Sequence, residues 1–220
     1  MSDYAGCQRR AEVLYADDAN VVRAVAVLKA GGLVAFPTDT VYGLAAMPWD
    51  VSAVIRLYEA KRRPSNRPIP LLLSDTDRVD QVAVLPLPFR HQARQLFAHF
   101  WPGGLTLVFP KTNVVPEAVS HGSTVAVRVP GLSLARDLIR KAGGVLAVTS
   151  ANISGQYSPI NAREVEEQLG KRIDLILDGG PSQGGVPSSI LDCTASPPVL
   201  LRHGIVTEAA LRAIIGTIQV

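Results

Sequence analysis

The chain has 220 residues, of which 47% are hydrophobic, so it carries enough apolar surface for a substantial core and predicts a folded globular protein. No window approaches the roughly 18 uninterrupted apolar residues of a membrane span, and the N-terminus lacks the apolar segment of a secretory signal, which predicts a cytoplasmic protein with no membrane partner. The net charge of +3 is mild for the chain as a whole.

Apolar runs of strand length alternate with helical patterns along the chain. In chain order, runs rich in Val, Ile and Leu predict strands at 33–36, 69–73, 105–109, 124–129, 145–149, 173–177, 188–192 and 198–202. Helical patterns predict helices at 20–30, 51–61, 89–100, 133–142, 161–169 and 207–215. Asp17 or Asp18 is expected to cap the first helix, which Gly31-Gly32 ends, and Asp50 to cap the second.

Strands interleaved with helices predict an α/β fold. Because several strands cluster late in the chain, we expect a twisted mixed sheet with flanking helices rather than a purely parallel one. No repeat, charge block or low-complexity linker divides the sequence. We therefore expect a single domain over residues 1–220.

The positive charge is concentrated in the segment 56–67, which holds five bases against the single acid Glu59. These bases are Arg56, Lys61, Arg62, Arg63 and Arg67. Such a concentration attracts polyanions. For Lys61 taken alone, the pattern favours a solvated helix end, where a base suits the helix dipole.

Polar residues follow or end four of the predicted strands, where ligands of α/β sheets usually bind. These are Thr38-Asp39-Thr40, Arg128, Thr149-Ser150-Ala151-Asn152 and Arg202. Each could be a turn or surface residue by itself. Together, two arginines and several hydroxyls predict a pocket for an anionic small molecule, because guanidinium groups bind phosphate or carboxylate in a bidentate way.

Several common catalytic and binding motifs do not occur. The sequence has no G-x-x-x-x-G-K-[ST] and no G-x-G-x-x-G, so a nucleotide would be held by side chains from several segments. It also has no G-x-S-x-G elbow, which argues against acyl-enzyme chemistry. Cys7 and Cys193 are far apart and the four histidines are scattered, so we predict no metal site built by the protein.

Six motifs occur in an order that identifies a family. They are PTDTVYGL at 37–44, Lys61-Arg62-Arg63-Pro64 with Pro68, WPGGLTLVF at 101–109, TVAVRVP at 124–130, SANISG at 150–155, and Ser188-Ser189 before LLR at 200–202. With these motifs the chain resembles the threonylcarbamoyl-AMP synthases of the YrdC-like fold, most strongly over residues 15–205. Its length is similar to that of the short, single-domain form.

The resemblance implies an L-threonylcarbamoyladenylate synthase, a nucleotidyltransferase. Such enzymes form threonylcarbamoyl-AMP and pyrophosphate from L-threonine, bicarbonate and ATP, with Mg²⁺ accompanying the ATP. Partner transferase proteins then pass the threonylcarbamoyl group to the adenosine next to the anticodon of tRNA.

The resemblance also implies roles for individual residues. Lys61 and Arg63 would act in catalysis by facing the phosphates. The threonine would be held by Thr40, Arg128, Val148 and Ser188. The ATP would be held by Arg63, Arg67, Thr124, Ser150, Asn152, Ser158 and Arg202.

The chain departs from the family pattern at three positions, and two other functions stay open. Arg62, Arg67 and Leu72 stand where many relatives have Gly, Asn and His, and Leu72 leaves the amino-acid selectivity undecided. One alternative is a relative that forms carbamoyl-adenylate, as in hydrogenase maturation. The other is a non-catalytic module that binds double-stranded RNA. The glycine-rich segment 179–187 would suit a mobile lid.

Overall fold

The computed structural model describes residues 10–220, which contain ten strands, seven α-helices and two short 3₁₀ helices at Thr76–Arg78 and Leu87–Phe89. The strands are β1 (Glu12–Tyr15), β2 (Val34–Phe36), β3 (Gly43–Ala46), β4 (Leu71–Leu73), β5 (Leu105–Pro110), β6 (Thr124–Arg128), β7 (Val145–Ser150), β8 (Leu175–Asp178), β9 (Ser189–Asp192) and β10 (Val199–Arg202). The helices are α1 (Asp18–Lys29), α2 (Val51–Lys61), α3 (Val79–Val82), α4 (Arg90–Phe100), α5 (Ser133–Ala142), α6 (Ala162–Leu169) and α7 (Glu208–Ile215). Cys7 lies outside the described residues, and Cys193 is buried.

All ten strands join one sheet in the order β1-β8-β2-β3-β7-β4-β6-β5-β9-β10. Neighbours pair in parallel in β1/β8, β2/β8, β4/β6 and β5/β9. They pair antiparallel in β2/β3, β3/β7, β4/β7, β5/β6 and β9/β10. The predicted α/β class with a mixed sheet is confirmed.

Helices cover both faces of this sheet. Along β2, the side chains alternate between two apolar cores: Ala35 belongs to one, and Val34 and Phe36 belong to the other. The first core receives α2, α4, α6 and α7, whereas the second receives α1 and α5. Because successive side chains of a strand point to opposite faces, this alternation makes β2 a fully buried central strand.

Local sequence accounts for the ends of the predicted helices. Asp17, one of two candidate caps, accepts a hydrogen bond from the Asn20 amide (2.8 Å) at the start of α1. At the start of α2, Asp50 accepts a hydrogen bond from the Ala53 amide (3.1 Å). Arg62 ends α2 in the left-handed conformation, with φ of 51°. Over residues 10–220, none of the helices combines the length and apolar character that crossing a membrane requires.

Three short elements, β1, β3 and α3, were not predicted from the sequence. Strand β3 has the sequence GLAA, whose small residues have low strand propensity, yet it pairs with β2 on one side and β7 on the other. The hydrogen bonds to β2 and β7 therefore make these residues a strand, although their intrinsic strand propensity is low. Helix α3 is a single turn, too short to show a helical period.

Gly43 begins β3 and permits close packing against β7. A Cβ at this position would lie 2.8 Å from Cγ1 of Val148 and 3.7 Å from Cγ2 of Thr38. Real side chains essentially never come so close, so the residue must be glycine or Val148 must move. The glycine of PTDTVYGL thus brings β3 directly against the strand that carries Val148 and Ser150.

We expect Gly43→Ala to lower the free energy of unfolding by about 1–3 kcal/mol, because the added methyl overpacks the β3–β7 contact. Val148→Ala removes the Cγ1 atom that the new methyl would meet. We therefore expect the Gly43→Ala/Val148→Ala double variant to lose less unfolding free energy than the sum of the losses in the two single variants. Denaturant unfolding of the four proteins measures this coupling. Strictly additive effects would contradict the packing explanation.

Candidate active site

A pocket of about 300 Å³ opens where several strand ends meet. Eight of the residues predicted from sequence line it: Thr40, Arg63, Arg128, Val148, Ser150, Ser158, Ser188 and Arg202. They come from segments that are distant in sequence but adjacent in the sheet. The structure therefore brings the predicted arginines and hydroxyls together in one place.

Arg128 forms the buried end of the pocket, with 5% of its surface exposed. Its Nε donates to the Gly103 carbonyl (2.8 Å), one terminal nitrogen to Thr40 Oγ1 (2.9 Å), and the other to Asp39 Oδ1 (2.6 Å). Burial lowers the pKa of Arg128, while the Asp39 charge opposes that shift. The guanidinium is thus held in one orientation by three different segments.

Thr40 is placed by the turn that follows β2. The Thr38 hydroxyl donates to the Val41 carbonyl (2.6 Å), accepts from the Thr40 amide (3.2 Å) and lies 3.0 Å from the Thr40 hydroxyl. Further along, the Tyr42 hydroxyl donates to the Gly180 carbonyl (2.7 Å). Polar residues follow a buried strand here because they build a hydrogen-bonded turn under the pocket.

Ser188 and Arg202 form another part of the pocket wall. Arg202 donates through Nε to the Ser188 carbonyl (2.9 Å) and through a terminal nitrogen to Ser188 Oγ (3.0 Å). The Ser188 hydroxyl also lies 2.8 Å from Thr106 Oγ1 on β5. The parallel pairing of β5 with β9 brings these hydroxyls together.

Arg63 completes a group of three guanidinium ions around the pocket. It donates to the carbonyls of Arg67 (3.1 Å) and Pro68 (2.9 Å), which fixes it across the loop after α2. Burial, followed by the charges of Arg128 and Arg63, lowers the pKa of Arg202. The three cations therefore repel one another, and an anion between them would relieve that repulsion.

Lys61 is not at a solvated helix end, and that interpretation of the sequence is wrong. The residue is 1% exposed, and its amino nitrogen donates to the carbonyls of Ser150 and Asn152. Burial, together with the Arg63 charge, lowers the pKa of Lys61 to about 7. Its side chain ties the end of α2 to the turn after β7 instead of lining the pocket.

The structure does not bring Arg67, Thr124 and Asn152 to the pocket wall. Arg67 is exposed on the loop after α2, and Thr124 begins β6 at its far end. The Asn152 side chain donates to the carbonyls of Ile153 and Gln156 (2.8 Å each) and accepts from the Ser150 hydroxyl (2.5 Å). In this structure Asn152 therefore shapes the turn that holds Ser150.

Asp39 and Thr106 organise the site, although neither received a role of its own from the sequence. Asp39 was grouped with Thr38 and Thr40 after the predicted strand, and Thr106 lies inside WPGGLTLVF, where a single Thr fits a strand or a turn equally well. Leu72 lines the pocket beside Arg128, its partner in the β4/β6 register. An apolar side chain thus forms part of the wall at the position where the family resemblance implied an imidazole.

The glycine-rich segment 179–187 packs against the turn that contains Asp39 and Thr40. The Gly184 amide donates to the Asp39 carbonyl (3.0 Å), and a Cβ on Gly184 would lie 2.6 Å from that oxygen. The Ser182 amide donates to the Ile160 carbonyl (2.7 Å). The glycines in this segment therefore permit close backbone contact with the turn that carries Thr40.

The donor set of the pocket suits anions rather than metal ions. Within residues 10–220 there is no group of three or more His, Cys, Asp or Glu side chains that could hold a metal ion. The Asp39 carboxylate near the pocket is already bound to Arg128 and to the Gly131 amide (2.7 Å). Any Mg²⁺ used here would be held chiefly by the phosphates of a bound nucleotide.

Comparisons with known proteins agree with this geometry. The family model Sua5_yciO_yrdC, described as "Telomere recombination", matches residues 26–204. The chain is 43% identical over 209 residues to the threonylcarbamoyl-AMP synthase of Bacillus subtilis, covering 94% of this chain and 60% of that protein. It is 38% identical to the putative threonylcarbamoyl-AMP synthase of Mycobacterium tuberculosis, covering 89% of each.

A similar solved structure is that of Pyrococcus abyssi Sua5 complexed with L-threonine. It superposes with a TM-score of 0.90 at 38% identity, covering 94% of this chain and 62% of that chain. The present chain thus spans less than two thirds of the length of the Bacillus and Pyrococcus proteins.

The buried Lys61 predicts a specific pH dependence of stability. Its pKa falls from 10.5 in the unfolded chain to about 7 in the fold, so between these values the unfolded chain binds more protons. Stability from this group is therefore gained as pH rises from 7 to 10 and lost as pH falls, by up to about 1.4 kcal/mol per pH unit. We expect Lys61→Met to flatten the pH dependence of unfolding.

The matched control is Lys171→Met, at an exposed position. Urea unfolding at several pH values between 7 and 10 gives the free energy of unfolding for each protein. The control should follow the wild-type slope. A Lys61→Met protein with the same slope as wild type would contradict the assignment of a buried, largely neutral amine.

Proposed function

The chain belongs to the Sua5/YciO/YrdC family, and from this premise we propose that it is an L-threonylcarbamoyladenylate synthase. The substrates would be L-threonine, bicarbonate and ATP. The observation that carries this proposal is the convergence of Arg63, Arg128 and Arg202 on one pocket. Such a pocket suits the simultaneous binding of a carboxylate and a chain of phosphates.

Different groups in the pocket wall suit different substrates. Arg128, with the hydroxyls of Thr40 and Ser188 nearby, suits an α-carboxylate and a small polar side chain. Arg63 and Arg202, with Ser150 and Ser158 in the same wall, suit the phosphates. The Pyrococcus relative, which was crystallised with L-threonine, supports the first of these assignments.

The proposed chemistry needs no covalent enzyme intermediate. The threonine nitrogen attacks the carbon of bicarbonate, and water leaves to give the carbamate. A carbamate oxygen then attacks the α-phosphorus of ATP, the bond to the β-phosphate oxygen breaks, and pyrophosphate leaves. The guanidinium groups would hold the anions together and stabilise the charge that develops at phosphorus.

Mg²⁺ would take part as the counterion of ATP. It would be held chiefly by the phosphates of ATP, beside the wall that carries Arg63, and would supply positive charge that lowers the repulsion between those phosphates and an attacking anion. Downstream transferase proteins would pass the threonylcarbamoyl group to tRNA, which fits the cytoplasmic location predicted from the sequence.

The proposal is tested by measuring pyrophosphate release from ATP, with threonine and bicarbonate each omitted in turn. We expect release only when both are present. Release that depends on carbamoyl phosphate instead would favour the carbamoyl-adenylate alternative. Absence of any turnover, together with salt-dependent binding of duplex RNA, would favour the RNA-binding alternative.

We expect Arg128→Ala to lower kcat/KM for threonine by about 30-fold to several thousand-fold, the equivalent of roughly 2–5 kcal/mol for removing a buried charge partner. Arg56→Ala is the control, because Arg56 is an exposed arginine that also pairs with an aspartate. Steady-state kinetics and thermal unfolding of both variants separate loss of binding from loss of folding. Wild-type threonine dependence in a folded Arg128→Ala protein would refute the assignment.

A further inference from the structure

Two buried hydroxyl groups, from Thr106 on β5 and from Ser188 just before β9, meet in the wall of the pocket. Thr106 Oγ1 lies 2.8 Å from Ser188 Oγ, and the two residues are 2% and 5% exposed. The parallel pairing of β5 with β9 sets this distance, since Leu105 pairs with Ser189 and Thr106 with Ile190. A single hydrogen lies between the two oxygens, and either of them can supply it.

Arg202 fixes how Ser188 can use its hydroxyl. A terminal nitrogen of Arg202 donates to Ser188 Oγ (3.0 Å), and its Nε donates to the Ser188 carbonyl (2.9 Å). Because a guanidinium has no acceptor, Ser188 Oγ must accept in this contact. A serine hydroxyl has two lone pairs and one hydrogen. The contact therefore leaves Ser188 one lone pair and its own O–H for other partners.

One hydroxyl hydrogen is left over in this small chain of groups. Two contacts join Arg202, Ser188 and Thr106, and each contact uses one hydrogen. The groups bring three hydrogens to these contacts, one N–H and two O–H. No other hydrogen-bond partner is found for either hydroxyl among residues 10–220. The remaining O–H is therefore available to a ligand in the pocket that both residues line.

An anion is the ligand that this remaining donor suits. Burial and then the charges of Arg128 and Arg63 lower the pKa of Arg202, so these three cations lie near one another and near Ser188. A carboxylate oxygen accepts hydrogen bonds and does not donate them. When Thr106 donates to Ser188, the Ser188 O–H is the one that stays available. Hydrogen bonds in such a chain polarise one another, which makes the Ser188 hydroxyl a stronger donor.

We propose that Thr106 is a positioning residue, which donates to Ser188 and thereby directs the Ser188 hydroxyl to the carboxylate of a bound amino acid. Thr106 acts through Ser188 and does not contact the amino acid itself. This inference rests on the proposed function, because it takes L-threonine as the bound amino acid.

The test compares two substitutions of Thr106. Thr106→Val keeps the shape of the side chain but removes the hydroxyl, whereas Thr106→Ser keeps the hydroxyl and removes the methyl group. The Kd of L-threonine is measured by calorimetry, and thermal unfolding shows whether each variant is folded. We expect Thr106→Val to raise the Kd about three- to tenfold, because the Ser188 hydroxyl loses a partner and rotates freely. Thr106→Ser should stay within about twofold of the wild type.

A double variant separates positioning from direct contact with the ligand. Ser188→Ala alone should raise the threonine Kd about tenfold. Adding Thr106→Val to Ser188→Ala should change the Kd by less than about twofold, because Thr106 acts only through Ser188. The matched control is Thr112→Val, which removes a hydroxyl that donates to the Gln81 carbonyl (2.9 Å) away from the pocket. This control should bind threonine as the wild type does.

The results that would overturn the inference can be told apart from failure of the proposed function. If folded Thr106→Val binds threonine as tightly as the wild type, or if Thr106→Ser binds it as weakly as Thr106→Val, the hydroxyl does not position Ser188. If Thr106→Val weakens binding equally with and without Ser188, Thr106 contacts the ligand directly. Thr106→Ala serves in the same comparisons if Thr106→Val does not fold. If the wild type binds no threonine, the proposed function itself fails.

Discussion

The site depends on holding three like charges together before any ligand neutralises them. Arg63, Arg128 and Arg202 all line a pocket of about 300 Å³, and their mutual repulsion contributes to the lowered pKa of Arg202. The fold stabilises them mainly through backbone carbonyls, which accept from each of the three guanidinium groups. Since a carbonyl satisfies a donor without cancelling its charge, Arg63 and Arg202 keep their attraction for anions, whereas the Asp39 carboxylate offsets part of the Arg128 charge.

Lys61, which ends α2, and Arg63, which follows it in the next loop, have different roles although both belong to one basic segment. Arg63 remains in the pocket wall, whereas Lys61 is buried and joins α2 to the turn of Ser150 and Asn152. A neutral or partly neutral amine can make such hydrogen bonds at a smaller desolvation cost than a full charge. Lys61 therefore contributes to the site through the backbone that positions Ser150.

Local sequence patterns predicted most of the fold because its longer elements are strongly marked. Eight apolar runs become strands, and six helical patterns become helices with caps such as Asp17 and Asp50. Strand β3 could not be predicted in this way, because its residues become a strand through pairing on both sides. The concentration of charge in 56–67 likewise indicated an anion-binding segment that includes Arg63. It could not show that Arg63 lines the pocket whereas Lys61 is buried behind it.

The residues of the pocket were easier to predict than their partners. Arg128 and Arg202 stand out because two arginines and several hydroxyls occur together at the ends of apolar runs, although each alone could be a surface residue. The Asp39–Arg128 pair joins β2 and β6 through a turn and could not be read from spacing. Which side chains meet across a sheet depends on strand order, and this order, with β7 between β3 and β4, has no local signal.

The strand order also determines when the protein can fold during its synthesis. At one edge Glu12 pairs with Leu175, and Leu105 pairs with Ser189 further across the sheet. During synthesis on the ribosome, β1 therefore has no pairing strand until β8 has emerged, and the edge of β5 that pairs with β9 stays unpaired until β9 has emerged. Such long-range pairing is slow and leaves open strand edges exposed to other chains. Because Ser188 and Arg202 also emerge late, substrates can stabilise the protein only after this vulnerable period has passed.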